Sequence, residues 1–236
     1  MEYTDVHCHI LPGIDDGSKS AGMSLEMLGV SYASGIRRTF LTPHYYPTES
    51  SDEFLARRSS AYDALRAAIE ESGNISVPEL RLGAEVYYHV GIANDPNIGK
   101  LCYEGTDFLL IELPWQKWQP SVFDDLIMLM RFRGITPVIA HLERYGDLTD
   151  KRDIKKLRTL PVMIQLNAET IIDLKTRKKA LKAIKKKQFD LLGSDAHDLK
   201  GRSVNLAEAY AILRENGLGE EAERFIRKSN ELWANK

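Results

Sequence analysis

The pattern that most restricts the fold is a set of short runs that are apolar on both faces. Phe108-Leu109-Leu110-Ile111 and Val138-Ile139-Ala140 have no polar side to turn toward water, as in strands of a parallel sheet covered by helices. Runs of strand type span Tyr3 to His9, Arg38 to Pro43, Leu80 to Tyr87, Asp107 to Pro114, Thr136 to His141, Val162 to Asn167 and Asp190 to Ser194, which predicts about seven strands. Helical spacing fills several intervals. Leu55, Tyr62, Leu65 and Ile69 follow the turn-prone Ser50-Ser51-Asp52, and Val122, Leu126, Leu129 and Met130 form a stripe with Ser121 as expected N-cap and Gly134 as stop. Ser203 to Asn216, ending at Gly217, and Gly219 to Trp233 predict two more helices. Regular β–α alternation over 236 residues points to the α/β class: a distorted (β/α) barrel of seven strands in a single domain, 1–236. A doubly wound open sheet is the alternative, but no Gly-x-Gly-x-x-Gly follows any strand.

Composition removes several function classes. The chain has 32 Lys+Arg against 34 Asp+Glu, a formal net charge of -2, too balanced to point to nucleic acid or an anionic membrane as partner. Cys8 and Cys102 are too few for a disulfide framework and form no metal-type pair, which fits a reducing compartment. No charged segment followed by an apolar one opens the chain, and no apolar run reaches the ~18 residues of a membrane span. The expected location is the cytoplasm. The basic stretch Lys175-Thr176-Arg177-Lys178-Lys179 with Lys182 and Lys185-Lys186-Lys187 reads as a solvated helix face, with an acidic partner surface as the other possibility.

Chemistry gathers at the expected strand ends, where a barrel carries its functional loops. In an extended Asp5-Val6-His7-Cys8-His9, the side chains of Asp5, His7 and His9 share one face. The turn through Pro12, Gly13 and Gly17 can return Asp15 or Asp16 to them. His44 follows the second strand, Glu85 ends the third, Glu112 lies near the end of the fourth and His141 ends the fifth, while Asp195 and His197 end the seventh. Taken alone, each could be a hydrogen-bonded polar residue. Five of the six histidines at such positions, with carboxylates in strands too apolar to bury them unpartnered, instead indicate metal ligands. Imidazole and carboxylate together suit manganese, iron or zinc. The nine residues His7, His9, Asp16, His44, Glu85, Glu112, His141, Asp195 and His197 exceed what one ion needs, so two or three ions sharing carboxylates are expected, three being favoured.

Asp5-x-His7-x-His9, Asp15-Asp16-Gly17, His44, Gly83-Ala84-Glu85, Glu112, Ala140-His141-Leu142-Glu143-Arg144-Tyr145 and Ser194-Asp195-x-His197 resemble the polymerase-and-histidinol-phosphatase (PHP) superfamily. Within it, the chain is most similar to the manganese-dependent tyrosine-protein phosphatases of bacterial capsule and exopolysaccharide loci. The resemblance runs from the first strand past Arg202. It implies a PHP-type barrel with three divalent ions, manganese first and iron or zinc as alternatives. In the implied partition His7, His9, Glu85 and Asp195 hold one ion, Glu85, Glu112 and His141 a second, and Asp16, His44 and His197 a third. It also implies that Arg144 and Arg202 clamp phosphate, with Asp195 counted among the catalytic residues, and that the partner is a phosphotyrosine protein, in this setting a bacterial tyrosine kinase. The segment after Glu85 and the loop from Trp115 to Pro120 match no motif of the family.

The expected activity is metal-dependent phosphomonoester hydrolysis on protein tyrosine. A small-molecule phosphatase of the histidinol-phosphate kind and a non-catalytic, metal-stabilised partner of the kinase are the alternatives. Cysteine chemistry is excluded, because a thiolate phosphatase needs Arg six residues on, where Cys8 has Ile14 and Cys102 has Phe108. Amidohydrolases also begin with His-x-His but look for a bridging lysine at the fourth strand, where this chain has Glu112 and no nearby lysine except Lys117. Of the remaining residues, Cys8 is expected in the core, His89 on a surface loop and Asn167 as a helix cap, with a substrate contact as the alternative for each of the last two. Tyr45, Tyr46, Trp115 and Trp118 either stack on substrate or pack on the barrel rim. The weaker alternative for the two arginines is pairing with Glu143 or Asp198 on the surface.

Overall fold

Residues 2–73, 75–146 and 148–234 are described by a computed structural model, so the outermost positions of the expected 1–236 unit lie outside the described residues. The doubly apolar runs become parallel strands: β1 (Tyr3–Asp5), β2 (Ile36–Leu41), β3 (His44–Tyr45), β4 (Glu79–Leu82), β5 (Glu85–Tyr87), β6 (Phe108–Glu112), β7 (Thr136–Ile139), β8 (Met163–Asn167) and β9 (Leu191–Gly193). They form two parallel sheets, in the orders β1-β2-β4 and β3-β5-β6-β7-β8-β9.

Nine segments fill the seven expected stations because two stations are broken. Between β2 and β3 stands Pro43, which has no N–H to give a ladder; between β4 and β5 stands Gly83, where a Cβ would lie 3.2 Å from both Thr42 and Tyr103 side chains. Backbone hydrogen bonds carry the chain across both breaks, from Thr42 N to Cys8 O (3.0 Å), Gly83 N to Leu41 O (2.8 Å) and Glu85 N to Pro43 O (3.0 Å). The ring closes where Asp195 N donates to His7 O (2.7 Å) and His9 N to Ala196 O (2.8 Å), a parallel bridge between Cys8 and Ala196. The fold is therefore the distorted (β/α) barrel.

The helices are α1 (Ala21–Ala33), α2 (Ser51–Glu71), α3 (Ile98–Leu101), α4 (Pro120–Arg133), α5 (Lys151–Leu157), α6 (Glu169–Ile172), α7 (Leu174–Lys185), α8 (Leu206–Glu215) and α9 (Gly219–Ala234). Two expected boundaries shift. Ser121 is not the cap of α4: Pro120 takes the first helical position, where its missing N–H costs nothing, and Gln119 stands before it. The helix expected from Ser203 begins at Leu206. Val6, Phe40, Leu110, Val138 and Leu191, drawn from around the ring, meet in one buried cluster with Leu232 and Trp233. Helix α9 thus packs its end against the residues that fill the barrel. No helix among the described residues is long and apolar enough to cross a membrane.

Candidate metal centre

All nine residues singled out as ligands come together. Glu85 stands at the middle. Its Oε2 lies 3.1 Å from His7 Nε2, 3.2 Å from His9 Nε2 and 3.1 Å from His44 Nδ1, and its Oε1 lies 2.8 Å from His141 Nε2. Asp195 Oδ1 is 3.5 Å from both His7 Nε2 and His9 Nε2. Asp16 Oδ1 approaches His197 Nε2 (3.3 Å) and His44 Nε2 (3.6 Å), and Glu112 Oε1 lies 3.5 Å from His141 Nε2. Eight of the nine are buried, Asp16 being the exposed one.

Three compact donor groups can be drawn: His9, Asp16, His44 and His197; His7, His9 and Asp195; and His44, Glu85 and Glu112. They overlap through His9 and His44, and His141 joins them through Glu85.

The local backbone is built for this convergence. His141 and Asp195 both adopt positive φ, 32° and 53°, a conformation uncommon for residues with side chains and frequent at functional sites. Gly17 allows the Asp15–Asp16 turn to lie on His9, since a Cβ there would come within 2.1 Å of the His9 carbonyl oxygen. A Cβ at Gly193 would lie 2.8 Å from the His7 side chain.

Behind the ligands stands a layer that orients them. Asp15 Oδ2 lies 2.8 Å from His9 Nδ1, Gln165 Oε1 lies 3.3 Å from His7 Nδ1, and the Asp195 carbonyl lies 2.9 Å from His197 Nδ1. Each acceptor makes Nδ1 the N–H and leaves the Nε2 lone pair facing the centre, the usual support of a metal-bound imidazole. Gln165 Oε1 also accepts from His141 N at 2.8 Å. Asp5 receives hydrogen bonds from Ser194 N and Oγ and so ties the first strand to the last. Gln165 was missed from sequence, although a glutamine inside Met163-Ile164-Gln165-Leu166 was the available signal. Asn167 is not a helix cap: its Nδ2 donates to Asp195 Oδ2 at 2.6 Å.

These residues fit divalent cations by two tests. The Nε2 atoms of His7 and His9 stand 3.2 Å apart, so two lone pairs face one another unless a proton or cation lies between them. His44 Nδ1 and His197 Nε2 are buried without a hydrogen bond, which is costly unless a metal occupies the lone pair. The charge balance agrees. Burial, then the adjacent charge of Glu85, pushes the Glu112 carboxyl up to about 8, so a positive charge beside this pair of carboxylates would be favoured. Burial and then His9 push His197 down to about 4, which favours the neutral, ligating imidazole.

Among the described residues, the guanidinium groups of Arg144 and Arg202 form no ion pair with Glu143 or Asp198, although Arg202 N donates to Asp198 Oδ2 at 3.3 Å. Their Nη2 atoms lie 2.9 and 2.8 Å from Asp195 Oδ2, and Arg202 Nη1 lies 3.9 Å from Asp16 Oδ2. Both side chains keep about a third or more of their surface open, 34% and 40%, so their remaining N–H groups can reach an anion at the centre. Two exposed rings flank it. Tyr46 stacks on His44 with centroids 5.1 Å apart, and Trp115 stacks on His141 at 5.6 Å while its Nε1 donates to Glu112 Oε1 at 2.9 Å. Tyr45 and Trp118 are buried rim residues instead. His89 is half-buried, with Nδ1 3.3 Å from the Val90 carbonyl. Cys8 is buried, its Sγ donating to Phe40 O.

The chain is similar to known proteins over nearly its full length. It is 27% identical over 238 residues to the tyrosine-protein phosphatase YwqE of Bacillus subtilis (strain 168), covering 97% of this chain and 90% of that protein. It is 27% identical over 247 residues to the tyrosine-protein phosphatase CpsB of Streptococcus agalactiae serotype III (strain NEM316), covering 98% of each. A solved structure from work on YwqE from Bacillus subtilis and CpsB from Streptococcus pneumoniae, described as unique metal-dependent tyrosine phosphatases, superposes with a TM-score of 0.85 at 24% identity. The match covers 99% of this chain and 95% of that one, and it shows that the barrel is shared. Residues 3–232 match the model of the family described as "Capsular polysaccharide synthesis, CpsB/CapC", and the chain belongs to that family.

Proposed function

We propose that this protein is a metal-dependent phosphomonoesterase that removes phosphate from tyrosines of a protein, its partner being a bacterial tyrosine kinase of polysaccharide synthesis, in the cytoplasm. One unit comprising 1–236 carries the activity. The observation that supports this most strongly is the pair of arginines converging on Asp195 beside eight clustered donors, to which His141 is joined through Glu85. His7, His9, Asp16, His44, Glu85, Glu112, His141, Asp195 and His197 would hold the cations, three in number and manganese first, with iron or zinc also suited to the donors. Divalent ions there supply Lewis acidity, which draws charge from phosphoryl oxygens and makes water nucleophilic near neutral pH.

The protein's own groups do the rest. Arg144 and Arg202 neutralise the remaining phosphate oxygens by charge-assisted hydrogen bonds, which strengthen as charge builds in the transition state. Asn167 and the two arginines all engage Asp195 Oδ2, leaving Oδ1 for the histidines. Tyr46 and Trp115, exposed and each stacked on a candidate ligand, offer faces for an aryl group. A phenol leaves with less proton assistance than an alkyl alcohol, because its pKa of ~10 is lower.

The test is an assay of protein loaded with manganese, iron or zinc on a phosphotyrosine peptide and on histidinol phosphate. Preference for the peptide is the expected result. Preference for histidinol phosphate would make this a small-molecule phosphatase, and inactivity of the fully loaded protein on both would leave a metal-stabilised binding partner.

A further inference from the structure

Outside the barrel, beside the metal centre, lies a cavity of about 450 Å³, within the usual range for a binding pocket. It is bounded by the turn Leu142–Tyr145 and by α5, α6 and α7. Its walls are apolar, with Ile154, Ala180 and Phe189 among them, and its mouth carries Lys151, Arg158 and Lys179, all exposed. No ion pair of these three cations occurs among the described residues.

Two features separate this cavity from a packing defect. One is Glu143. Its Oε1 accepts from Asn167 N and Thr170 Oγ1, both at 3.2 Å, but its Oε2 is buried without a partner on the cavity wall. A buried carboxylate oxygen left unpaired is costly, and a donor entering the cavity would satisfy it. The other is charge. Between 151 and 187 the sequence has thirteen Lys or Arg against three Asp or Glu, in a chain whose total is -2. Of these, Lys151 at the start of α5, Arg158 just past its end and Lys179 on α7 line the cavity.

We infer that this cavity is an exosite for the phosphorylated protein, taking a segment near the phosphotyrosine that combines acidic residues with an apolar side chain. Such a segment meets all three requirements of the site. Its apolar side chain fills the walls, its carboxylates pair with Lys151, Arg158 and Lys179, and a backbone N–H or hydroxyl reaches Glu143 Oε2. Arg144 lines the cavity while its guanidinium holds Asp195, so the two sites share a border. An extended chain advancing ~3.3 Å per residue passes from one to the other within a few residues. The inference rests on the proposed protein-phosphatase reading for its substrate, but the cavity can be tested apart from it.

The experiment compares metal-loaded protein on three substrates: a phosphotyrosine peptide flanked within five residues by Glu and Leu, the same peptide with Lys in place of Glu, and p-nitrophenyl phosphate. The acidic peptide should have a kcat/KM at least tenfold above the basic one. Lys179→Glu combined with Arg158→Glu, both at exposed positions, should abolish or invert that preference while leaving p-nitrophenyl phosphate turnover within twofold. Ala180→Trp, which fills the cavity, should lower efficiency on the acidic peptide alone, and Lys179→Ala gives a milder variant should the Trp protein fold poorly. Titration of the unphosphorylated acidic peptide should show binding to wild type that the double charge reversal loses. That measurement stands even if no phosphatase activity is found, a result that would sink the functional proposal and not this one. Equal rates on acidic and basic peptides would overturn the exosite. So would a double variant that keeps its peptide binding but loses binding to vesicles of anionic lipid, since the basic face would then be a membrane surface.

Discussion

Asp195 divides its oxygens between two tasks. Oδ1 faces His7 and His9, and Oδ2 is shared by Arg144, Arg202 and Asn167. Changing either arginine to Ala should therefore leave folding and metal content intact, because Asp195 retains two donors. Turnover should fall by ~2–4 kcal/mol of transition-state stabilisation, as when one preorganised donor to a developing oxyanion is lost. Lys should rescue partly, bringing charge without the planar fork; kinetics with elemental analysis of each variant measure both effects, and wild-type efficiency in both Ala proteins would remove the clamp. The thiols are placed to do nothing chemical. Burial pushes Cys102 up to about 12 from an ordinary value of 9.0, so the folded state keeps its proton after the unfolded chain has lost it. With more protons bound by the folded form, the stability this thiol contributes is complete below pH 9 and is lost as pH rises toward 12, by up to ~1.4 kcal/mol per pH unit. Denaturant midpoints of wild type and Cys102→Ala across that window should converge as pH rises, and iodoacetamide should leave native Cys102 unmodified at pH 8.

Among the elements, α2 has a complete signal at its start. Ser50 Oγ accepts from Glu53 N, and Glu53 Oε2 accepts from Ser50 N, a capping box that was visible only as a turn-prone Ser50-Ser51-Asp52. Ser50→Ala should cost about 1 kcal/mol, measured by urea denaturation, without change in turnover. Strands and the convergence of the nine candidate donors were legible because charged or imidazole side chains interrupt runs that are otherwise wholly apolar. Helix α1 was not, and the reason is chemical. Its buried side includes Ser24 and Ser31, whose hydroxyls donate to Ile10 O and Met27 O, so the packed face reads as polar. The breaks after Leu41 and Leu82 were hidden similarly, since Pro43 and Gly83 sit in runs whose side-chain pattern continues through them. Gln165, Asp15 and Asn167 act across the barrel rather than along the chain, which residue spacing does not encode. The bland surface role considered for Glu143 failed for the same reason: its neighbours Asn167 and Thr170 come from another strand and helix.

For the whole molecule, a cation in the candidate metal centre would act as a clasp as well as in chemistry. The donors come from the first, second, third, fourth, fifth and seventh stations of the ring, so cations bound there tie opposite walls together. Exhaustive chelation should abolish phosphatase activity and lower the melting temperature. A site kept at a hundredfold its Kd adds ~2.7 kcal/mol to the folded state, and chelation removes this; full activity in protein proven metal-free by elemental analysis would reject the mechanism. The closure of the ring has a further consequence, for biosynthesis. Residues 7 and 9 are translated well before their hydrogen-bonded partners at 195 and 196. Contacts this distant in sequence form late and slowly, and a growing chain cannot make them at all. Asp195 and His197 therefore join the donor set last, and a nascent chain that has not reached them can neither close the ring nor offer a cation all nine side chains.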